Sequence, residues 1–253
     1  ETGFLLVPLL ALIAASVSAG PVLEVPPRGF SLRWYGAYFA SPVWVGATLN
    51  SLGIALLSAL LALLLGGGAA FALARASLRL RGALVALIIS PMVVPRIVIA
   101  VALFYLFGRL GLVGRWEGLV VGHTVLSLPY VVITLMATLA AHDHRLDQAG
   151  ATLGAAPWQV LRHVTLPLIR TGLISAFLFA FITSFDDLTL ALFVSGGAFT
   201  TLPRQMWNDM LMQANPTLAA VSSVLLGGVL LVLLVIQLMA RWRPGAAGSG
   251  AAG

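Results

Sequence analysis

The sequence predicts an all-α, polytopic membrane protein with about six transmembrane helices and one long, patterned cytoplasmic loop. Three observations carry that reading. The first is composition: of 253 residues 60% are hydrophobic and only 9% charged, too few polar side chains to solvate a globule of this length. The second is that apolar runs of spanning length recur along the chain, and the third is that arginines collect in the short segments between them. The formal charge of +6 is spread singly or in twos and threes, with no continuous stripe, so it marks topology and not a nucleic-acid partner. Every basic residue is Arg, and there is no Lys and no Cys, which excludes a disulfide framework, a thiolate metal site and a thiol nucleophile.

A spanning helix needs about 20 apolar residues to cross about 30 Å of hydrocarbon. That template fits residues 3–19, 45–73, 82–107, 118–140, 171–194 and 217–240. Ser16-Val17-Ser18-Ala19 has the small residues of a signal cleavage site, but a chain that is polytopic throughout needs no separate export signal, and the first run is read as a retained span. Glu1-Thr2-Gly3 reads as a trimmed or engineered end. Between the first two spans lie Pro26-Pro27 and the aromatics Phe30, Trp34, Tyr35, Tyr38 and Phe39, the composition of an interfacial segment. The chain thus divides into 1–43, a first span with an extracytoplasmic aromatic segment; 44–240, the membrane domain; and 241–253, a Gly/Ala-rich tail expected to be disordered.

Orientation follows from the arginines. One side receives Arg75, Arg79, Arg81, Arg145, Arg162, Arg170, Arg241 and Arg243; the other receives Arg28, Arg33, Arg109, Arg115 and Arg204. The larger set is taken as cytoplasmic, which places both termini inside. On that side the connection 141–170 is too long for a hairpin. Leu146, Ala149, Gly150 and Leu153 recur at helical spacing, Gly154 can close that helix, and Pro157 suits the first turn of a second carrying Trp158 and Leu161. Two short helices joined by a turn are expected, then Leu166-Pro167 at the mouth of the next span. Small residues beside large apolar ones make the loop a docking surface for a cytoplasmic protein.

Gln148-Ala149-Gly150, followed by Gly154 and by Val164-Thr165-Leu166-Pro167, resembles the EAA loop of binding-protein-dependent importer permeases. The family pattern is Glu-Ala-Ala, three residues, Gly, nine residues, Ile, one residue, Leu-Pro, and its spacing is met throughout. Gln148 stands for the Glu, Gly150 for the second Ala and Val164 for the Ile. Asp147 could replace the lost carboxylate but projects about 100° away on a helix. A longer resemblance, to spermidine and putrescine importer permeases, rests on Thr48-Leu49-Asn50-Ser51, Ser90-Pro91, His123-Thr124, Leu128-Pro129-Tyr130, Ser184-Phe185-Asp186-Asp187, Leu202-Pro203, Met206-Trp207 and Asn215-Pro216-Thr217.

The resemblance implies a type I importer subunit of the bacterial inner membrane. Its loop would be a coupling helix seated in a partner ATPase through Asp147, Gln148, Ala149, Gly150, Leu153, Gly154, Trp158, Leu161, Leu166 and Pro167. The implied partners are a second permease, two cytoplasmic ATP-binding-cassette ATPases and an extracytoplasmic solute-binding protein. ATP and Mg belong to the ATPase, and this chain binds no cofactor. The implied cargo is a small cationic solute such as a polyamine, with an opine, a phosphonate, ferric iron or an amino-acid derivative as the alternative.

Some classes are excluded directly. Without Lys there is no Gly-x-x-x-x-Gly-Lys-Ser/Thr phosphate loop, so this chain is not the ATPase. No His-Glu-x-x-His or Gly-x-Ser-x-Gly element supports an intramembrane enzyme, and no internal repeat supports a secondary transporter. Asp186 and Asp187 lie about 22 Å into the fifth span. A carboxylate there lines the path, Asp186 first and Asp187 the alternative, with Ser184 beside them; equally, it is ion-paired to Arg96 or Arg204 or caps a helix break. Trp34 and Trp207 either stack on a cation at the outer mouth or anchor the interface. His123 reads as a packed, satisfied histidine. His142, His144 and His163 lack a recognised ligand spacing and read as solvated, with no metal.

Overall fold

The computed structural model describes residues 2–20, 26–27, 29–75, 80–197, 199–212 and 216–228. Part of the sixth expected span, the tail 241–253, Arg28, Arg79 and Asn215 lie outside them. The described residues are helical, joined by turns, with only two isolated bridges, Ser18 to Phe30 and Gly196 to Phe199. The chain divides into two compact units, Glu1–Val45 with Met206–Gly253, and Gly46–Gln205.

In the first unit α1 (Thr2–Ser16) leads into a turn closed by Ser31 N–H to the Val17 carbonyl, 2.8 Å, and Ala19 N–H to Gly29 O, 3.2 Å. The aromatic segment folds as α2 (Arg33–Ala40). Its polar tips turn back on that turn: Trp34 Nε1 donates to the Ser18 carbonyl, 2.9 Å, and the Tyr35 and Ser16 hydroxyls lie 2.7 Å apart. Indole and phenol bury their apolar bodies while each polar tip keeps a partner. α13 (Thr217–Gly228) closes the described part of this unit.

The second unit is built around two long helices, α3 (Pro42–Arg75, which begins in the first unit) and α6 (Trp116–Ala140). Between them in sequence lie α4 (Arg81–Val93) and α5 (Arg96–Leu110). After α6 come α7 (His144–Thr152), α8 (Pro157–Val160), a π turn over Leu161–Thr165, and α9 (Leu166–Leu168). Then follow α10 (Arg170–Phe185), α11 (Thr189–Val194) and α12 (Leu202–Met212), which ends in the first unit. One core joins Ala59, Ala62 and Ala70 of α3 to Val131, Leu135 and Leu139 of α6 and Ala176 and Ala180 of α10. Alanines on two of three helices let the backbones approach closely, the packing that replaces a hydrophobic driving force inside lipid. Buried hydroxyls cross-link the same helices: Ser58 Oγ donates to Val120 O, 3.0 Å, and Ser127 Oγ to Ala180 O, 3.2 Å.

The expected spans are not all continuous helices. Among the described residues two helices, Pro42–Ala74 and Trp116–Ala140, are long and apolar enough to cross a membrane unaided, and two more spans result if each of two bent pairs counts as one. α1 has 15 residues, about 22 Å of rise, short of a full crossing. The third expected span is two helices, α4 and α5, bent by 102°. Pro95 has no N–H to continue the ladder and forces Val94 into extended backbone, ψ 133°, so α4 must stop there. The fifth is interrupted after Phe185 and resumes at Thr189. Its lower part is bent by 73° from Pro157–Leu168.

Gly172 sets the closest approach of α10 to α6, because a methyl there would run into the short, branched Thr138 side chain. Gly172→Ala is expected to destabilise the protein by about 1–3 kcal/mol through overpacking. Gly68→Ala, on an open face with nothing within 4 Å, should be neutral or stabilising by up to about 1 kcal/mol. Thermal unfolding of the two variants in detergent checks this; equal melting temperatures would contradict the packing assignment.

Candidate functional site

The loop between α6 and α10 is organised by its own hydrogen bonds. Asp143 caps α7 by accepting the Arg145 N–H, 3.0 Å. At the other end Gly154 takes φ +86°, which lets its N–H reach Ala151 O, 3.0 Å, and the Ala155 N–H reach Gly150 O, 3.2 Å. That paired closure is a Schellman cap, and its left-handed position suits glycine. Pro157 then opens α8, with Gln159 Oε1 accepting the Ala156 N–H, 2.8 Å. The two short helices and the glycine turn expected from spacing are therefore present. Gly150 sits over Val160 and Val164, where an added methyl would touch them at 3.4 and 3.7 Å.

Asp147 turns inward. Its Oδ1 accepts from Thr165 Oγ1, 2.9 Å, and lies 3.1 Å from His142 Nε2. It stitches the start of the loop to its returning segment. Gln148 and Ala149 are exposed on α7. Beside them the loop presents apolar side chains to solvent: Leu153 is 89% exposed, Trp158 64% and Leu146 46%. Gly154 and Pro167 are also exposed, while Leu161 and Leu166 are half-buried. Bare leucine and tryptophan on a short, rigid, well-capped element form an unpartnered apolar face.

The second cluster lies where two helices break. Arg96 opens α5 after Pro95, and Asp187 lies between α10 and α11. Asp187 Oδ1 is 3.1 Å from Arg96 Nη1, and its Oδ2 accepts the Leu190 N–H, 2.8 Å. One fully buried carboxylate thus neutralises an intramembrane arginine and caps a helix that has lost its ladder. Arg204 holds the other end of α11, donating to the Ala191 and Ser195 carbonyls and to the Ser195 hydroxyl. Acid at its N-terminus and base at its C-terminus complement the helix dipole. Of the alternatives the sequence left open, Asp187 takes both the Arg96 pair and the cap, and Arg204 takes neither carboxylate.

The remaining path candidates separate. Asp186 is exposed, and its side chain has no ionic or hydrogen-bonding partner among the described residues. Ser184 is buried, its hydroxyl and carbonyl each 2.9 Å from His123 Nδ1; His123 is packed as expected but only half satisfied, since its Nε2 is buried without a partner among the described residues. Ser184 therefore faces His123. Trp34 has its indole N–H on Ser18 and the Arg33 guanidinium 4.4 Å over its ring, so its face is already occupied by a cation. Trp207, in the first unit, is 36% exposed. Sequence reasoning missed an aromatic stack along α10, in which the Phe177 and Phe181 rings lie 6.3 Å apart and the Phe181 and Phe185 rings 5.8 Å apart. Its signal was the spacing of four, which places the three rings on one stripe ending beside Asp186.

Removing the buried charge should cost more than removing the exposed one. Asp187→Asn is expected to lower stability by about 1–3 kcal/mol, the range for stranding a hydrogen-bonded charge partner that solvent can partly reach. Asp186→Asn should stay within about 0.5 kcal/mol. Detergent melting curves decide, and an equal or reversed order would overturn the assignment of the two carboxylates.

Comparison with known proteins fits this architecture. Residues 62–244 match the family described as binding-protein-dependent transport system inner membrane component. The chain is 31% identical over 239 residues to the spermidine/putrescine transport system permease protein PotC of Haemophilus influenzae, covering 94% of this chain and 92% of that protein. It is 34% identical over 247 residues to the putrescine transport system permease protein PotI of Escherichia coli, covering 94% and 87%. With the molybdenum transport system permease protein ModB of Mycobacterium bovis it shares 35% over 222 residues, 82% and 83% of the two. A solved bacterial ABC transporter involved in the import of the acidic polysaccharide alginate has the same fold, with TM-score 0.70 at 16% identity over 95% of this chain and 91% of that one. Broken apolar helices around a capped, solvent-facing loop, together with a family match over most of the chain, make this protein a member of the binding-protein-dependent inner-membrane component family, a permease subunit of an ABC importer.

Proposed function

We propose that the chain forms half of the translocation path for a small cationic solute of the polyamine class. The observation that carries this is Asp186. It is the carboxylate left exposed at the break of α10, whereas Asp187 is consumed by Arg96 and by the α11 cap. The Phe177, Phe181 and Phe185 rings stack along the same helix up to the break, with Phe177 and Phe181 packed against the core. The named substrates of PotC and PotI support the same cargo. Stabilising a carboxylate by a transient amine costs little, because the solute itself supplies the missing counter-charge.

In this reading a second permease completes the path and an extracytoplasmic solute-binding protein delivers the solute. Of two ATPases holding ATP and Mg, one docks on the loop from the cytoplasm, where both termini also lie. The exposed Leu153 and Trp158 enter a cleft of the ATPase, and the stitched loop transmits closure as rigid-body motion. An oxyanion cargo is the second reading. Arg96 favours it, since its side chain remains 45% exposed despite the ion pair, as does the molybdenum permease relative. Electrostatics separates the two: an available Asp favours cations, an available Arg anions.

Asp186→Asn should reduce uptake of radiolabelled putrescine or spermidine into vesicles at least tenfold, with assembly and basal ATP hydrolysis retained. Unchanged amine uptake, or competition by molybdate and not by amines, would reject the cationic cargo. For the loop, Gly154→Trp or Leu153→Asp should abolish co-purification of the ATPase while membrane insertion persists, and Gln148→Ala should be mild. The chain purified alone should hydrolyse no ATP. Retention of the ATPase by both loop variants would place the interface elsewhere.

A further inference from the structure

The hairpin that follows α6 brings three metal-ligating side chains together that the sequence spacing did not announce. We propose that His142, His144 and Asp147 form a binding site for a divalent transition-metal ion of the Zn2+ type at the root of the loop. Their ligand atoms all lie within 4.8 Å of one another. His142 Nε2 is 3.1 Å from Asp147 Oδ1, and His144 Nδ1 is 3.9 Å from Asp147 Oδ2. Bonds of about 2.0–2.1 Å place neighbouring ligands of tetrahedral zinc about 3.3 Å apart. The His142–Asp147 separation is already near that value, and His144 must move closer to complete the set.

The donor chemistry is selective. Two imidazoles and one carboxylate without sulfur suit Zn2+, Co2+ and Ni2+ over Ca2+ or Mg2+, which prefer oxygen cages. The carboxylate is also held in orientation from behind, since the Thr165 hydroxyl donates to Oδ1 at 2.9 Å, as partners behind metal ligands do. The His142 side chain is 4% exposed, Asp147 15% and His144 52%, so one ligand is anchored, one is held and one is free to swing. A cleft of about 310 Å³ lined by His144, Asp147, Gln148 and Pro157 opens beside two of the three ligands.

The placement has a mechanical consequence. His142 belongs to the turn that ends α6, whereas His144 and Asp147 belong to the first turns of α7. A bound ion would link one ligand on the turn after α6 to two on α7, across the joint through which α7 is carried by the last long helix. The site stands apart from the solute path, and its existence does not depend on which solute is carried.

The test uses the full chain in detergent, purified with a histidine-free affinity tag, and Zn2+ titrated in competition with a chromophoric chelator. One Zn2+ per chain is expected to bind and to raise the melting temperature, since a ligand that binds only the folded form stabilises it. His144→Ala removes an exposed ring whose ionic partner is Asp147, so folding should survive, and affinity should fall at least about tenfold. Asp147→Asn should do the same. His163→Ala, where the ring is exposed and bonded to the Gln159 carbonyl at 3.0 Å, should leave binding unchanged. Absence of Zn2+ binding in the parent chain, or equal affinity in His144→Ala, overturns the site; so does a loss confined to His163→Ala.

Discussion

A backbone that breaks inside an apolar slab must find partners for the groups its broken ladder releases, because lipid supplies none. The ion pair of Arg96 with Asp187 answers that requirement for two breaks at once. Pro95 ends α4, and the next residue, Arg96, brings a cation that would cost on the order of 2.5–3.5 kcal/mol at the centre of a membrane if left alone. The interruption of α10 delivers Asp187 to it, and the second oxygen of the same carboxylate caps α11 through the Leu190 N–H. With Arg204 closing the far end of that six-residue helix, α11 is held at both termini and packs Leu190 and Val194 against Ala100, Phe107 and Leu119. The bend of one element and the break of the other are thereby one structural feature.

That feature also sorts the two adjacent carboxylates. Adjacent side chains on a helix diverge by about 100°, and here a helix ends between them, so their surroundings differ even more. Asp187 is spent on structure and Asp186 is left to the exterior of the break. The Phe177, Phe181 and Phe185 rings stack along the same helix, with Phe177 and Phe181 turned onto the core.

At the loop between α6 and α10 the physical problem is the reverse: a short element must be stiff while exposed to solvent. α7 has nine residues, below the length at which a helix is stable alone. Caps at both ends and the inward Asp147 supply what length does not. With Asp147 turned inward, α7 leaves Leu146 and Leu153 exposed, as is Trp158 of α8. Rigidity and an apolar outer face arise from the same hydrogen-bonding choice.

Composition and apolar run length were enough to read an all-α membrane protein, because lipid imposes length and polarity on each span residue by residue. The loop was legible for a similar reason: Gly154 and Pro157 are local backbone instructions, and the two short helices around them follow from φ preferences. The breaks were not legible. Pro91 and Pro95 marked a weak point, but a 102° bend depends on what α5 packs against, and no proline marks the interruption after Phe185. The sequence by itself determined which residues carry charge within the apolar segments: Arg96, Asp186 and Asp187. Only the tertiary structure decided that Asp187 is paired and Asp186 is not, that Asp147 faces Thr165 and His142, and that His142 meets His144 across a turn. Those outcomes are set by contacts between residues up to 91 positions apart, where helix phase at a break, and not local propensity, determines which side chain turns inward.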